Sequence, residues 1–244
     1  MTKIYGHRGS KGKYPENTLL SIRKALEAGV EGIEIDVHLT KDDEFVVIHD
    51  ETLDRTTTGS GYIKDYTLAE IRKFSAGSKF TDFENYDDSW DLELVPTLRE
   101  VVHLLSQYDV ELNVELKTYE IVYHDIEKKV LLEMEKCDFK GKVVYSSFLL
   151  PTVRRLQEIC PTCEVAWLLN HGMFMPEDYI TNLNLETLHV GKDIVLNNSD
   201  VWKSVSEKLR IWTVNDEAEI QFLLDLGVAA IITDFPERAL KLRK

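Results

Sequence analysis

No stretch of this chain approaches the roughly 18 consecutive apolar residues that a membrane-crossing helix requires, so no such span is expected. The N-terminal MTKIYGHRG lacks the apolar core of a secretory leader, and the chain as it stands is expected in the cytoplasm. Cysteine is scarce. Cys137, Cys160 and Cys163 make an odd, low number that suits a reducing compartment. Cys160-Pro-Thr-Cys163 has redox-pair spacing, but no second pair completes a zinc site, and these cysteines read as structural or incidental. Positive charge is in deficit: 29 Lys and Arg against 43 Asp and Glu leave a net charge of −14. That argues against nucleic acid and an anionic membrane surface as partners. It leaves room for a small anionic substrate, because a metal ion and a few basic side chains override the global field locally. No GxGxxG follows the first strand, which argues against an open doubly wound sheet, and no GxSxG offers a serine nucleophile.

What is present begins with length and apolar content. A chain of 244 residues, 43% hydrophobic, suits one large domain with a sizeable core. Lys3 to His7 reads as a short strand ending in His7-Arg8-Gly9. Asn17 or Thr18 caps the following helix, whose stripe is Leu19, Ile22, Ala25 and Leu26 and which Gly29 ends. Gly32 to Leu39 is the second strand of a βαβ unit. On it Glu34, Asp36 and His38 alternate with Ile33, Ile35, Val37 and Leu39, so one face carries two carboxylates and an imidazole and the other is oily. The link from Leu39 to Phe45 is too short for a parallel crossover. Phe45 to His49 should therefore return antiparallel and bring His49 beside the carboxylates.

From Glu51 to about Val95 the periodicity is poor apart from a helical run at Leu68 to Phe74, and the stretch DFENYDDSWDLE is acidic without a basic residue. It is expected to be a solvated excursion, a substrate cap or an interaction surface. Alternation of strands and helices then resumes. Thr97 caps a helix through Ser106, and His124 to Lys136 and Pro151 to Ile159 read as helices. Asp216 starts the helix that Gly227 ends, and a final helix follows Asp234. Strands are expected at Val110 to Lys117, Lys142 to Ser147, Glu164 to Leu169, Thr187 to Val190, Arg210 to Asn215 and Ala229 to Thr233. Eight parallel-type strands plus one antiparallel segment predict an α/β fold. It is a (β/α)8 TIM barrel with an insertion after the third strand segment, one domain over residues 1–244 with 51–95 as the inserted subregion.

Chemistry in such barrels sits at the C-terminal ends of the strands. There the sequence places His7-Arg8, then Glu34 and Asp36, Glu115 and Lys117, Trp212 and Asp234. Carboxylates without cysteine or a close histidine ligand favour a hard cation, Mg²⁺ or Ca²⁺. Histidine is the side chain type suited to proton exchange near neutrality, so His7 and His49 suit a general acid/base pair, while Arg8 and Lys117 suit phosphate oxygens. Together they describe phosphoryl transfer from a diester.

The blocks HRGSKGKYPENTL, GIEIDVHLTKD, VVIHDETLDRTT and VELK, with RIWTVN and ITDFP beyond them, resemble the glycerophosphodiester phosphodiesterase family over nearly the whole chain. The resemblance implies a barrel related to the phosphoinositide phospholipases C, within the phospholipase C-like phosphodiesterase superfamily. The family's insertion after the second histidine falls on Thr56 to Val95. Carried onto this chain, the family's histidine pair falls on His7 and His49. Its divalent-metal carboxylates fall on Glu34, Asp36 and Glu115, and its phosphate-binding cations on Arg8 and Lys117. A tryptophan facing the glycerol moiety falls on Trp212. The implied reaction is metal-dependent hydrolysis of a small-molecule glycerophosphodiester to glycerol 3-phosphate and an alcohol. Two alternatives stand beside it: a phospholipase C/D-like lipid phosphodiesterase or lyase on the same barrel, and a non-catalytic metal- or ligand-binding barrel. The acidic chain lacks a membrane-docking patch, so no stable membrane insertion is expected; a homo-oligomer is left open.

Overall fold

The computed structural model describes residues 1–243. Nine strands occur in chain order: β1 (Lys3–His7), β2 (Gly32–Leu39), β3 (Phe45–Val47), β4 (Glu111–Leu116), β5 (Val143–Ser147), β6 (Glu164–Leu169), β7 (Thr187–Gly191), β8 (Leu209–Trp212) and β9 (Ala230–Thr233). All but β3 run parallel, each beside the next, and β1 pairs with both β2 and β9. The result is a closed eight-stranded (β/α)8 barrel ringed by helices, as the alternation of elements predicts.

The edge of β2 is divided between two partners, and this division shapes the mouth. β1 pairs with residues 32–34 and then turns away at Arg8. β3 takes over at residues 37–39, antiparallel, with Val47 opposite Val37, as the short Leu39-to-Phe45 link requires. Arg8 (φ 53°) and Gly9 (φ 88°) are both left-handed. A Cβ at position 9 would lie 2.4 Å from the Ser21 backbone, so only glycine lets this turn press against the first helix.

That helix, Leu19–Ala28, starts where the Thr18 hydroxyl accepts from the Ser21 amide and ends at left-handed Gly29. Thr97 and Glu100 form a reciprocal capping box before Leu98–Leu105, and Asp216 caps Glu217–Leu226. Ile33, Ile35, Val37 and Leu39 face outward into the main core with Ile22, Leu98 and Val101. Each such buried aliphatic side chain contributes about 1.5–3 kcal/mol, and the sum offsets the charge buried on the other face of β2. Three short helices, Pro176–Asn182, Lys192–Asn197 and Ser199–Trp202, have no counterpart in the periodicity of the sequence, being too short to show a stripe. The expected run at 68–74 shortens to Leu68–Ile71. Residues 51–95 pack a second apolar cluster in which Leu53, Ile63 and Ile71 meet Val46 and Ile48, so much of the stretch is anchored to β3 and its extension. Its acidic end folds Trp90 inward among Tyr14, Phe83 and Tyr86. A disulfide joins Cys160 to Cys163, and Cys137 is free. Among the described residues no helix is long and apolar enough to cross a membrane.

Candidate active site

Strand register assembles the site in two rows. His7 stands beside Glu34, which stands beside Asn113; one step nearer the mouth, Asp36 stands beside Glu115, which stands beside Ser146. One carboxylate oxygen from each of Glu34, Asp36 and Glu115 can be chosen so that the three lie within 4.8 Å of one another, and all three residues are buried. The Lys117 ammonium lies 2.9 Å from Glu115 Oε1 and 3.7 Å from Asp36 Oδ1. Arg8 Nε lies 3.0 Å from Asp36 Oδ2, close enough to pair electrostatically but without hydrogen-bonding geometry. Three buried carboxylates therefore share two cations.

The consequences appear in their acidities. Burial, and then the charge of Asp36, raises Glu34 well above the usual carboxylate range. Burial pushes Asp36 the same way, but Arg8, Lys117, His49 and the Asn17 amide hydrogen bond outweigh it and hold Asp36 low. Burial raises Glu115 as well, against the opposing charge of Lys117. Asp36 Oδ1 accepts no hydrogen bond from the protein. A buried, hard, oxygen-only donor set with surplus negative charge and an unshared lone pair fits a divalent cation such as Mg²⁺ or Ca²⁺.

The two histidines are mounted alike. His7 Nδ1 bonds Asp234 Oδ1 at 2.6 Å, and Asn215 Nδ2 donates to the other Asp234 oxygen at 2.8 Å. His49 Nδ1 bonds Asp50 Oδ1 at 2.7 Å, and Arg55 clamps both Asp50 oxygens. In each ring Nδ1–H donates to a carboxylate, which leaves Nε2 for the pocket. Burial and then the neighbouring Arg8 charge lower the pKa of His7, against the pull of Asp234. Behind both rings Glu16 accepts from Arg8 at 2.8 Å and from Arg55 at 2.8 and 2.9 Å, and these cations hold its carboxyl down to about 2 despite burial. His38, on the polar face of β2, sets its Nε2 3.1 Å from the His49 carbonyl and its Nδ1 2.9 Å from the Tyr123 hydroxyl. It thus braces the loop that carries His49.

These groups line a pocket of about 110 Å³ at the C-terminal mouth of the barrel, together with Asn113, Ile232, Phe148 and Trp212. Phe148 and Trp212 meet edge to face at 5.5 Å. His7, Arg8, Glu34, His49, Glu115 and Trp212 all face this space, while Asp36 and Lys117 join through their pairs with Arg8 and Glu115. Every residue singled out from the sequence thus belongs to one cluster. Glu16, Asp50, Arg55, Phe148 and Asn215 were not singled out, and Asn17 was read only as a helix cap. For Glu16, Asn17, Asp50 and Arg55 the signal was their place inside the HRG-to-ENT and HDETLDR blocks.

The family model for glycerophosphoryl diester phosphodiesterases matches residues 7–238. The chain belongs to this family. Its members are phosphoric diester hydrolases, and the chain is an enzyme of that kind. The match of the phosphodiesterase to relatives is nearly end to end. A glycerophosphodiester phosphodiesterase of Caldanaerobacter subterraneus subsp. tengcongensis is 36% identical over 242 residues, covering 99% of this chain and 97% of that protein. One of Bacillus altitudinis is 37% identical over 252 residues, covering 100% and 99%. Among solved structures, an Oleispira antarctica phosphodiesterase in complex with the product sn-glycerol-3-phosphate superimposes with a TM-score of 0.85 at 28% identity, over 99% of this chain and 96% of that one.

Proposed function

We propose that this phosphodiesterase hydrolyses glycerophosphodiesters to glycerol 3-phosphate and an alcohol, with Mg²⁺ or Ca²⁺ held by Glu34, Asp36 and Glu115. When bound, the cation neutralises charge on phosphate oxygens and acts as a Lewis acid. Arg8 and Lys117, bound to those carboxylates, lend positive charge to the same space as negative charge grows on phosphorus-bound oxygen. His7, whose pKa is pushed down, is neutral near pH 7 and takes the proton of the attacking hydroxyl at Nε2. His49 enters the step doubly protonated, with Asp50 on its Nδ1–H, and gives its Nε2 proton to the leaving alkoxide as the bond from phosphorus to the alcohol oxygen breaks; His7 then releases, and His49 regains, one proton from solvent. Asp234 and Asp50 fix the tautomers that make this exchange possible. Trp212 and Phe148 form the apolar wall against which the glycerol carbons pack. In this proposal the chain is one barrel domain, and residues 51–95 are an insertion within it that carries its own apolar cluster.

The observation that supports it most is the placement of two carboxylate-backed histidines beside three clustered carboxylates in one pocket. The likeness to a phosphodiesterase that holds sn-glycerol-3-phosphate supports the same products here. The test is release of glycerol 3-phosphate from glycerophosphocholine, with and without EDTA, for the wild type and His49→Ala. The expected result is metal-dependent release that falls about 10²- to 10⁴-fold in the variant. No release from several head groups with several divalent metals would overturn the proposal.

A further inference from the structure

A second cavity, of about 330 Å³, opens beside the catalytic pocket. The two share His49, Glu115, Phe148 and Leu168 on their walls. The pocket of about 110 Å³ has room for little more than the glycerol-phosphate half of a diester. A group bonded to phosphorus on the His49 side therefore enters the larger space. Its cations are already committed: Lys117 to Glu115 and Asp36, and the His49 Nδ1 to Asp50. His171 at its edge bonds Asn170 at 3.3 Å. Its anions Glu51 and Glu120 are in no ion pair among the described residues. Tyr119, 74% exposed, and Phe148 add aromatic faces to the same wall.

We propose that this cavity is the subsite for the alcohol half of the substrate, and that Glu51 and Glu120 make it select alcohols bearing an ammonium group. This rests on the phosphodiesterase reading above and adds to it the class of alcohol. Two unpaired carboxylates with aromatic neighbours favour an ammonium or quaternary ammonium head by direct charge and by cation–π attraction. They repel a head group that carries a carboxylate or a second phosphate.

The test compares glycerophosphoethanolamine and glycerophosphocholine with the neutral glycerophosphoglycerol, measured as kcat/KM for the metal-loaded wild type and the double variant Glu51→Gln, Glu120→Gln. The wild type is expected to favour the two ammonium substrates. In the double variant the ratio of kcat/KM for ammonium over neutral substrate is expected to fall about tenfold, mainly through KM. Raising the salt concentration is expected to erode the preference of the wild type and to leave the variant nearly unchanged. A wild type without preference, or a variant in which both substrate classes lose equally, would overturn the subsite while leaving the phosphodiesterase reading intact. Failure of the wild type on all three diesters would overturn that reading and the subsite with it.

Discussion

The barrel buries charge at both ends, and the two ends are built to opposite rules. At the base, where strands begin, Lys3 and the Tyr5 hydroxyl bind Glu111, and Arg210 binds Glu164 at 2.7 Å, with Lys142 on its other oxygen. Arg210 also donates to Thr187 at 2.6 Å and to His189 Nε2 at 3.2 Å. Two carboxylates there meet three cations, and each carboxylate is bound on both oxygens. At the mouth three carboxylates share two cations, Asp36 keeps an unshared oxygen, and Glu34 is driven toward its protonated form. The base is satisfied within the protein and closes the barrel; the mouth is left short of positive charge, which suits it to receive a cation. Tyr5, Ala230 and Ile232, with Trp212 against them, form an apolar layer of their own. The polarity of a buried cluster is thus a poor guide to function, and its unmatched charge is a better one.

The largest effect that separates the two ends comes from breaking the base. Arg210→Ala leaves Glu164 buried with only Lys142 and removes the donor to Thr187 and His189. Stability is expected to fall by about 3–5 kcal/mol, seen as a drop in Tm of roughly 10 °C, while kcat of the folded enzyme stays within about twofold. A variant that kept its Tm but lost turnover would make the base part of the chemistry and erase the distinction.

Metal sharpens the contrast from the other side. At a free concentration of Mg²⁺ or Ca²⁺ a hundred times its Kd, the wild type is expected to gain about 2.7 kcal/mol of stability. Glu34→Gln is expected to lose that response. Without metal it should be about 1 kcal/mol more stable than the metal-free wild type, because it removes a carboxylate that burial and Asp36 both oppose. Thermal melts of both proteins with EDTA and with each metal check this. A variant that is less stable than the wild type in EDTA would show that Glu34 is held for structure.

How much of this was legible in the sequence follows from the range over which each feature is encoded. The mouth was legible because Glu34 and Asp36 alternate with four aliphatic residues, and a five-residue link forces His49 back to them. The strand count was legible for the same reason, since each strand is a local apolar run. The base was not. Arg210 and His189 each sit in a strand whose neighbours are apolar, and a lone polar residue there reads as an edge or a surface position; only closure of the ring turns it inward. The Glu16–Arg55–Asp50 bracket was hidden differently, because Glu16 and Arg55 lie 39 residues apart and nothing local couples them. Glu51 and Glu120 come from two different loops and come to line one cavity only through the fold.

The smallest expected effect is on acid stability and belongs to the base. His189 Nε2 accepts from Arg210, so the folded ring is neutral with its proton on Nδ1. Burial, and then the Arg210 charge, holds its pKa well below 6.5. The unfolded chain takes up a proton at this ring near pH 6.5 and the folded chain does not. Its share of stability is therefore complete above about pH 6.5 and is lost as the pH falls toward the folded pKa. From pH 6.5 to 5.5 that loss amounts to about 1 kcal/mol. Urea melts across this window are expected to show a shallower decline for His189→Asn than for the wild type, with turnover at pH 7.5 unaltered. An equal decline in both proteins would mean that Arg210 moves aside and lets His189 protonate in place, and the base would then not be the closed, fully matched cluster that sets it apart from the mouth.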